Sequence, residues 1–208
     1  MTAESPDMVR SRTDARAARA GAIVLVRHGE PALSRRVRLN ADGYAAWWAR
    51  YELGGLLEGQ TPPAALKAAA QKAHAIFCST RPRAVETARA VVGDRPVTHD
   101  ALFIEAPLPP PAFPAWLKFK PRTWGVIARL WWWSFDHHAG QESKAQAVAR
   151  ARKAAERLAD LATGEREVMV LAHGFFNMMI GKELQRMGWR CVRDQGFHYW
   201  SARRFEKR

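Results

Sequence analysis

The stretch Ala22-Ile23-Val24-Leu25-Val26-Arg27-His28-Gly29-Glu30 passes from five apolar residues straight into an arginine, a histidine and a glycine. Continuous apolar residues of this length, without polar alternation, suit a parallel strand covered on both faces. Two further runs share the form. Ala75-Ile76-Phe77-Cys78 leads into Ser79-Thr80-Arg81-Pro82-Arg83, and Val168-Met169-Val170-Leu171-Ala172 leads into His173-Gly174. In open α/β sheets ligands bind at the carboxyl ends of the strands, so the three tips are expected to share one crevice.

Helical patterns separate these runs. Asp42 is the expected cap of a helix in which Tyr44, Trp47, Trp48 and Tyr51 recur as one apolar stripe. Thr61 followed by Pro62 predicts the start of a helix over 64–73. Residues 83–92 read as a helix stopped by Gly93, and 141–163 as a long Ala-rich helix ending near Gly164. Residues 175–187 follow the third strand and stop at Gly188. A last strand, Phe197 to Phe205, is expected to close an edge. Strand alternating with helix predicts an α/β fold, a three-layer α/β/α sandwich with a mostly parallel central sheet. Residues 106–140 break the rhythm with Pro107, Pro109, Pro110, Pro111, Pro114, Pro121 and a tryptophan-rich stretch. They read as an insertion over the top edge of the sheet within a single domain spanning 21–208. Residues 1–20 read as a mobile basic tail.

The chain has 208 residues, enough for one domain with a sizeable core, and 48% of them are hydrophobic, which argues against disorder. The net charge of +13 attracts anions, but the basic residues are scattered along the chain rather than gathered in one run. Cys78 and Cys191 make no disulfide framework, so a reducing, cytoplasmic compartment is the expectation. No secretory h-region and no transmembrane segment are read; Trp124 to Phe135 is too short to span and is interrupted by Arg129. Its tryptophans with basic neighbours also suit contact with a membrane surface. His137-His138 completes no metal-ligand spacing, so neither metal nor other cofactor is expected.

The residue types at the three tips suit phosphoryl transfer. A neutral imidazole offers a lone pair to phosphorus near neutral pH. Guanidiniums and a second imidazole can clamp the equatorial oxygens, and glycine lets the backbone approach closely. Helices starting just after the strands would aim free N–H groups at the anion. Glu30 reads as a structural carboxylate at such a helix start.

On Arg27-His28-Gly29-Glu30, Arg83-Ala84-Val85-Glu86-Thr87-Ala88 and His173-Gly174, in that order, the sequence resembles the histidine phosphatase superfamily, the phosphoglycerate mutase-like family. The resemblance covers roughly residues 22–180. It implies that His28 is the nucleophile that becomes phosphorylated, and that Arg27, Arg83 and His173 bind the phosphate. Arg81, Gly174 and Ser34 are further substrate-binding candidates. It places the general acid soon after the strand that follows the Arg-Ala helix, where Glu105 is the choice and Asp136 and Glu142 are rivals. Glu142-Ser143 is similar to a Gly-Glu-Ser element of the family, split here by Gln141, and is expected to support the pocket. Relatives continue after the acid with a Trp-Glu-Gly stretch, whereas this chain reads Ala106-Pro107-Leu108-Pro109.

The implied activity is that of a metal-independent phosphomonoesterase acting on a phosphorylated small molecule through a phosphohistidine. Two alternatives stand beside it. One is a mutase, although the Glu-Arg-x-Tyr-Gly stretch usual in mutases of the family is missing. The other is a non-catalytic module holding phosphate or a polyanion. Nucleic acid is not an expected partner.

Overall fold

A computed structural model describes residues 21–207 of the chain. The basic segment 1–20 lies outside the described residues. Six strands form one sheet in the order β3-β2-β4-β1-β6-β5. They are β1 (Ala22–Arg27), β2 (Ala75–Cys78), β3 (Thr98–His99), β4 (Glu167–Ala172), β5 (Arg190–Asp194) and β6 (Ala202–Glu206). The pairs β1–β4, β2–β4 and β2–β3 are parallel, whereas β6 runs antiparallel to both β1 and β5.

The helices are α1 (Ala41–Leu53), α2 (Ala64–Lys72), α3 (Pro82–Val92), α4 (Pro121–Phe135), α5 (Lys144–Leu161) and α6 (Gly174–Arg186). The unbroken apolar runs of β1 and β4 are explained by cover on both sides. Ile23, Leu25, Val168 and Val170 pack with Ala151, Ala155 and Leu158 of α5 and Met179 and Ile180 of α6. Val24, Val26, Met169 and Leu171 pack with Leu66 of α2 and Ala88 and Val91 of α3. Each fully buried Ile, Leu or Met side chain contributes roughly 1.5–3 kcal/mol, so neither layer is dispensable. A third cluster joins Tyr44, Trp47 and Tyr51 of α1 to Trp124 of α4.

Several boundaries differ from the sequence expectation. Asn40, not Asp42, caps α1, its side chain accepting from the Gly43 N–H at 3.0 Å. Pro63, not Thr61, precedes α2, and no side chain caps it. α5 starts at Lys144 because Ser143 and Gln146 form a reciprocal capping box. The last strand is shorter than read and lies inside the sheet beside β1. The edge is β5, a mostly exposed strand whose polar sequence gives no strand signal. The segment 106–140 contains a 15-residue helix, α4, which starts on Pro121. No helix starts near Glu30: the chain stays irregular until Ala41, and the Glu30 N–H donates to Gln60. No helix among the described residues is long and apolar enough to cross a membrane.

Candidate active site

The parallel register of β1 and β4 pairs Arg27 with Ala172, so His28 and His173 emerge level with one another. The His28 N–H extends the ladder by donating to the Ala172 carbonyl at 3.0 Å. The two imidazoles meet edge to face, with ring centroids 5.3 Å apart. The tip of β2 joins them through Ser79, whose Oγ is 2.8 Å from His173 Nε2. The three strand ends therefore do share a crevice.

His28 is buried, and its Nδ1 lies 2.7 Å from the Gly29 carbonyl oxygen. A carbonyl only accepts, so the contact requires the proton on Nδ1 and leaves the Nε2 lone pair free. Burial pushes the His28 pKa well below the ordinary imidazole value, and the charges of Arg83 and Arg27 push it the same way. Burial does the same to His173, again helped by Arg83. Both rings are thus neutral at physiological pH.

Gly29 is required where it stands. A Cβ there would lie 2.3 Å from a ring carbon of Trp200. Trp200 itself sits in the left-handed region at φ 61°, a costly backbone for a bulky residue. Its indole N–H donates to Gln60 at 3.0 Å. The Gly29 N–H donates to the Thr87 hydroxyl at 3.0 Å, and that hydroxyl donates to the Arg83 carbonyl. The glycine after the histidine and the threonine of the Arg-Ala-x-x-Thr-Ala pattern are therefore one hydrogen-bonded unit. Glu86 in the same pattern accepts from the Leu56 N–H at 2.6 Å and fixes the chain after α1.

Arg83 is wholly buried. It donates to the Tyr51 carbonyl at 3.0 Å and to Glu52 at 2.8 Å, and stacks over the Tyr51 ring. Arg81 pairs with the other Glu52 oxygen at 2.7 Å. Arg27 lies over the Tyr199 ring and donates to the Phe197 carbonyl. Burial lowers its pKa, partly offset by Tyr199, Tyr51 and Glu105. Gly174 opens α6 so close to Arg27 that a Cβ would fall 3.2 Å from the arginine's side chain.

Glu105 belongs to the same surroundings. Its carboxylate accepts from the Phe176 N–H at 2.8 Å and the Phe175 N–H at 3.3 Å, in the first turn of α6 just after His173. The rivals are occupied elsewhere. Asp136 accepts from the Lys144 N–H, and Glu142 holds Arg150 through two 2.7 Å hydrogen bonds. Arg150 then donates to the carbonyls of Leu102 and Ile104, which pins the chain leading into Glu105. Ser34 is exposed, and its hydroxyl accepts from the Arg36 N–H rather than turning to the histidines.

Sequence reasoning missed Tyr51, Glu52, Tyr199, Trp200 and Arg35. Arg35 donates to the Tyr51 hydroxyl at 2.8 Å and lies 5.7 Å from the centre of the Tyr199 ring. Its position one residue after Ser34, in a cluster with Arg36 and Arg38, carries no motif. Tyr199 and Trp200 come from the β5–β6 connection, of which β5 was not foreseen and β6 was expected to begin already at Phe197. No group of three or more His, Cys, Asp or Glu among the described residues is placed to hold a metal ion.

The profile of the histidine phosphatase superfamily (branch 1) matches residues 23–206. The chain belongs to this superfamily. Solved structures give the same fold. The open reading frame Rv3214 of Mycobacterium tuberculosis is 19% identical, with a TM-score of 0.54 over 88% of this chain and 89% of that one. A mycobacterial hydrolase, hydrolase 1, is 24% identical, with a TM-score of 0.53 over 81% and 82%. A mutant phosphoserine phosphatase from Entamoeba histolytica, solved with phosphoserine, is 18% identical, with a TM-score of 0.51 over 80% of each chain. None of the curated proteins matches this sequence. This histidine phosphatase superfamily member thus has the phosphoglycerate mutase-like fold.

Proposed function

We propose that this superfamily member is a metal-independent phosphatase that hydrolyses phosphate monoesters through a phosphohistidine on His28. The observation that carries the reading is the Nδ1 contact with the Gly29 carbonyl, which leaves Nε2 as a buried, neutral, unprotonated nucleophile. Attack by Nε2 forms the N–P bond as the ester P–O bond breaks, and Glu105 gives its proton to the leaving oxygen. Water then attacks phosphorus, Glu105 takes back a proton, and the N–P bond breaks to release inorganic phosphate. His173, Arg27 and Arg83 stabilise the equatorial oxygens.

Arg35 adds to this clamp. Among the described residues no carboxylate pairs with Arg27 or Arg35, whereas Glu52 offsets Arg81 and Arg83. Two uncompensated guanidiniums match a phosphate monoester dianion.

Phosphate release and phosphoryl return separate this reading from the mutase reading. With 3-phosphoglycerate as substrate the protein is expected to release inorganic phosphate without forming 2-phosphoglycerate; isomerisation in excess of release would establish the mutase.

The depressed histidines fix the pH response. Both rings bind fewer protons when folded than when unfolded, so their contribution to stability is complete above the ordinary pKa of about 6.5 and is lost as pH falls below it. Activity responds differently, because the nucleophile stays unprotonated in acid. The acid limb of kcat/KM, corrected for ionisation of the substrate phosphate, is expected well below pH 6.5. A limb at pH 6.5 that shifts with substitution of His173 would mean that this ring titrates as an exposed one does.

A further inference from the structure

The helix α4 is apolar on two opposite faces. Trp124, Gly125, Ala128 and Trp132 are buried inward. Val126, Leu130 and Trp133, spaced i, i+4, i+7, share the outward face and are 52%, 56% and 42% exposed. The solvent side of a surface helix is ordinarily polar. The charge along this helix and the segment leading into it is of one sign. No Asp or Glu occurs from Ala106 to Phe135, and Lys118, Lys120 and Arg122 lead into the helix. Arg122, which is exposed, precedes Val126 by one turn, whereas Arg129 turns inward over the Phe175 ring. The ammonium groups of Lys144 and Lys182 each lie 5.1 Å from the centre of the Trp133 ring. The two carboxylates that follow the helix, Asp136 and Glu142, are engaged within the chain, Asp136 by the Lys144 N–H and Glu142 by Arg150.

We propose that this outer face of α4 docks on an anionic lipid bilayer. Val126, Leu130 and Trp133 enter the boundary between headgroups and acyl chains, and the flanking cations meet lipid phosphates. Charge selects this occupant over a second copy of the chain, which would bring +13 against +13. The docked helix is also tied to the candidate active site: Trp132 and Arg129 both contact the ring of Phe175, two residues after His173. A bilayer on the outer face would thus lie about one helix diameter, roughly 10 Å, from the phosphate-binding turn.

Flotation of the full chain with vesicles tests this, independently of catalysis. The protein is expected to float with vesicles of phosphatidylcholine and phosphatidylglycerol in equal amounts, and not with phosphatidylcholine alone. Leu130→Asn and Trp133→Asn leave the charge unchanged and are expected to lower partitioning about tenfold, while keeping aryl phosphate hydrolysis in solution. His28→Ala is expected to float like the parent, so failure of the phosphatase reading and failure of docking are told apart. Absence of flotation with the anionic vesicles overturns the proposal. So does partitioning of either asparagine variant equal to that of the parent, which would assign binding to net charge alone. Self-association in sedimentation velocity that Leu130→Asn abolishes would give the face to a second copy and overturn it too.

Discussion

Replacing His28 by alanine is expected to lower phosphate release from a small aryl phosphate by about a thousandfold or more, because the group that forms the covalent intermediate is gone. The imidazole is buried and bonded to the Gly29 carbonyl, so alanine also leaves a cavity and an unpaired acceptor. His28→Asn separates the two effects. Its amide can still donate toward that carbonyl, yet it offers no nucleophile at the Nε2 position. Both variants are expected to fall to the same residual rate, with the asparagine variant nearer to the parent in thermal stability. Retention of substantial activity by either one would remove His28 from the chemistry.

The second large effect is expected at Glu105. Glutamine is isosteric, and its carbonyl oxygen can still accept from the first turn of α6, as the carboxylate does from Phe175 and Phe176. It cannot give or take the proton. For an alkyl phosphate, whose leaving group needs that proton, kcat is expected to drop by about 10²–10³-fold. A p-nitrophenolate leaves unaided, so the first step survives and the loss moves to attack by water. Glu105→Gln is then expected to show a burst of p-nitrophenol, stoichiometric with enzyme, followed by slow turnover. An equal loss on both substrates, with no burst, would make Glu105 a structural cap of α6 and nothing more.

The comparison of sequence with structure turns on particular residues. Three of the four parallel strands, β1, β2 and β4, were legible because burial on both faces demands unbroken apolar runs, and the residues that follow such runs stand at a predictable edge. The tips carrying His28, Ser79 to Arg83 and His173 were therefore expected at one edge, and the family resemblance singled out Arg83 within the second. The carboxylates were harder. Glu105 is held by backbone N–H groups of a distant helix, and Glu142 acts through Arg150, neither of which a local pattern encodes. Glu52 lies at the end of α1, where nothing in its neighbours marks it as the partner of Arg81 and Arg83. The wall built by Tyr199 and Trp200 was invisible for a different reason. β5 is an exposed edge strand of polar residues, so the connection that carries the two aromatics had no detectable frame. α4 was hidden by the prolines before it, although Pro121 opens the helix rather than breaking it.

The central claim is a covalent bond from phosphorus to Nε2 of His28. Its most direct test is rapid acid-free quenching of the protein during turnover of a radiolabelled phosphate monoester, followed by peptide mapping under alkaline conditions. Label is predicted on the peptide containing His28, stable to base, lost in acid, and increased in Glu105→Gln. Turnover with no label on His28 in that variant, or label on another side chain, would contradict the account.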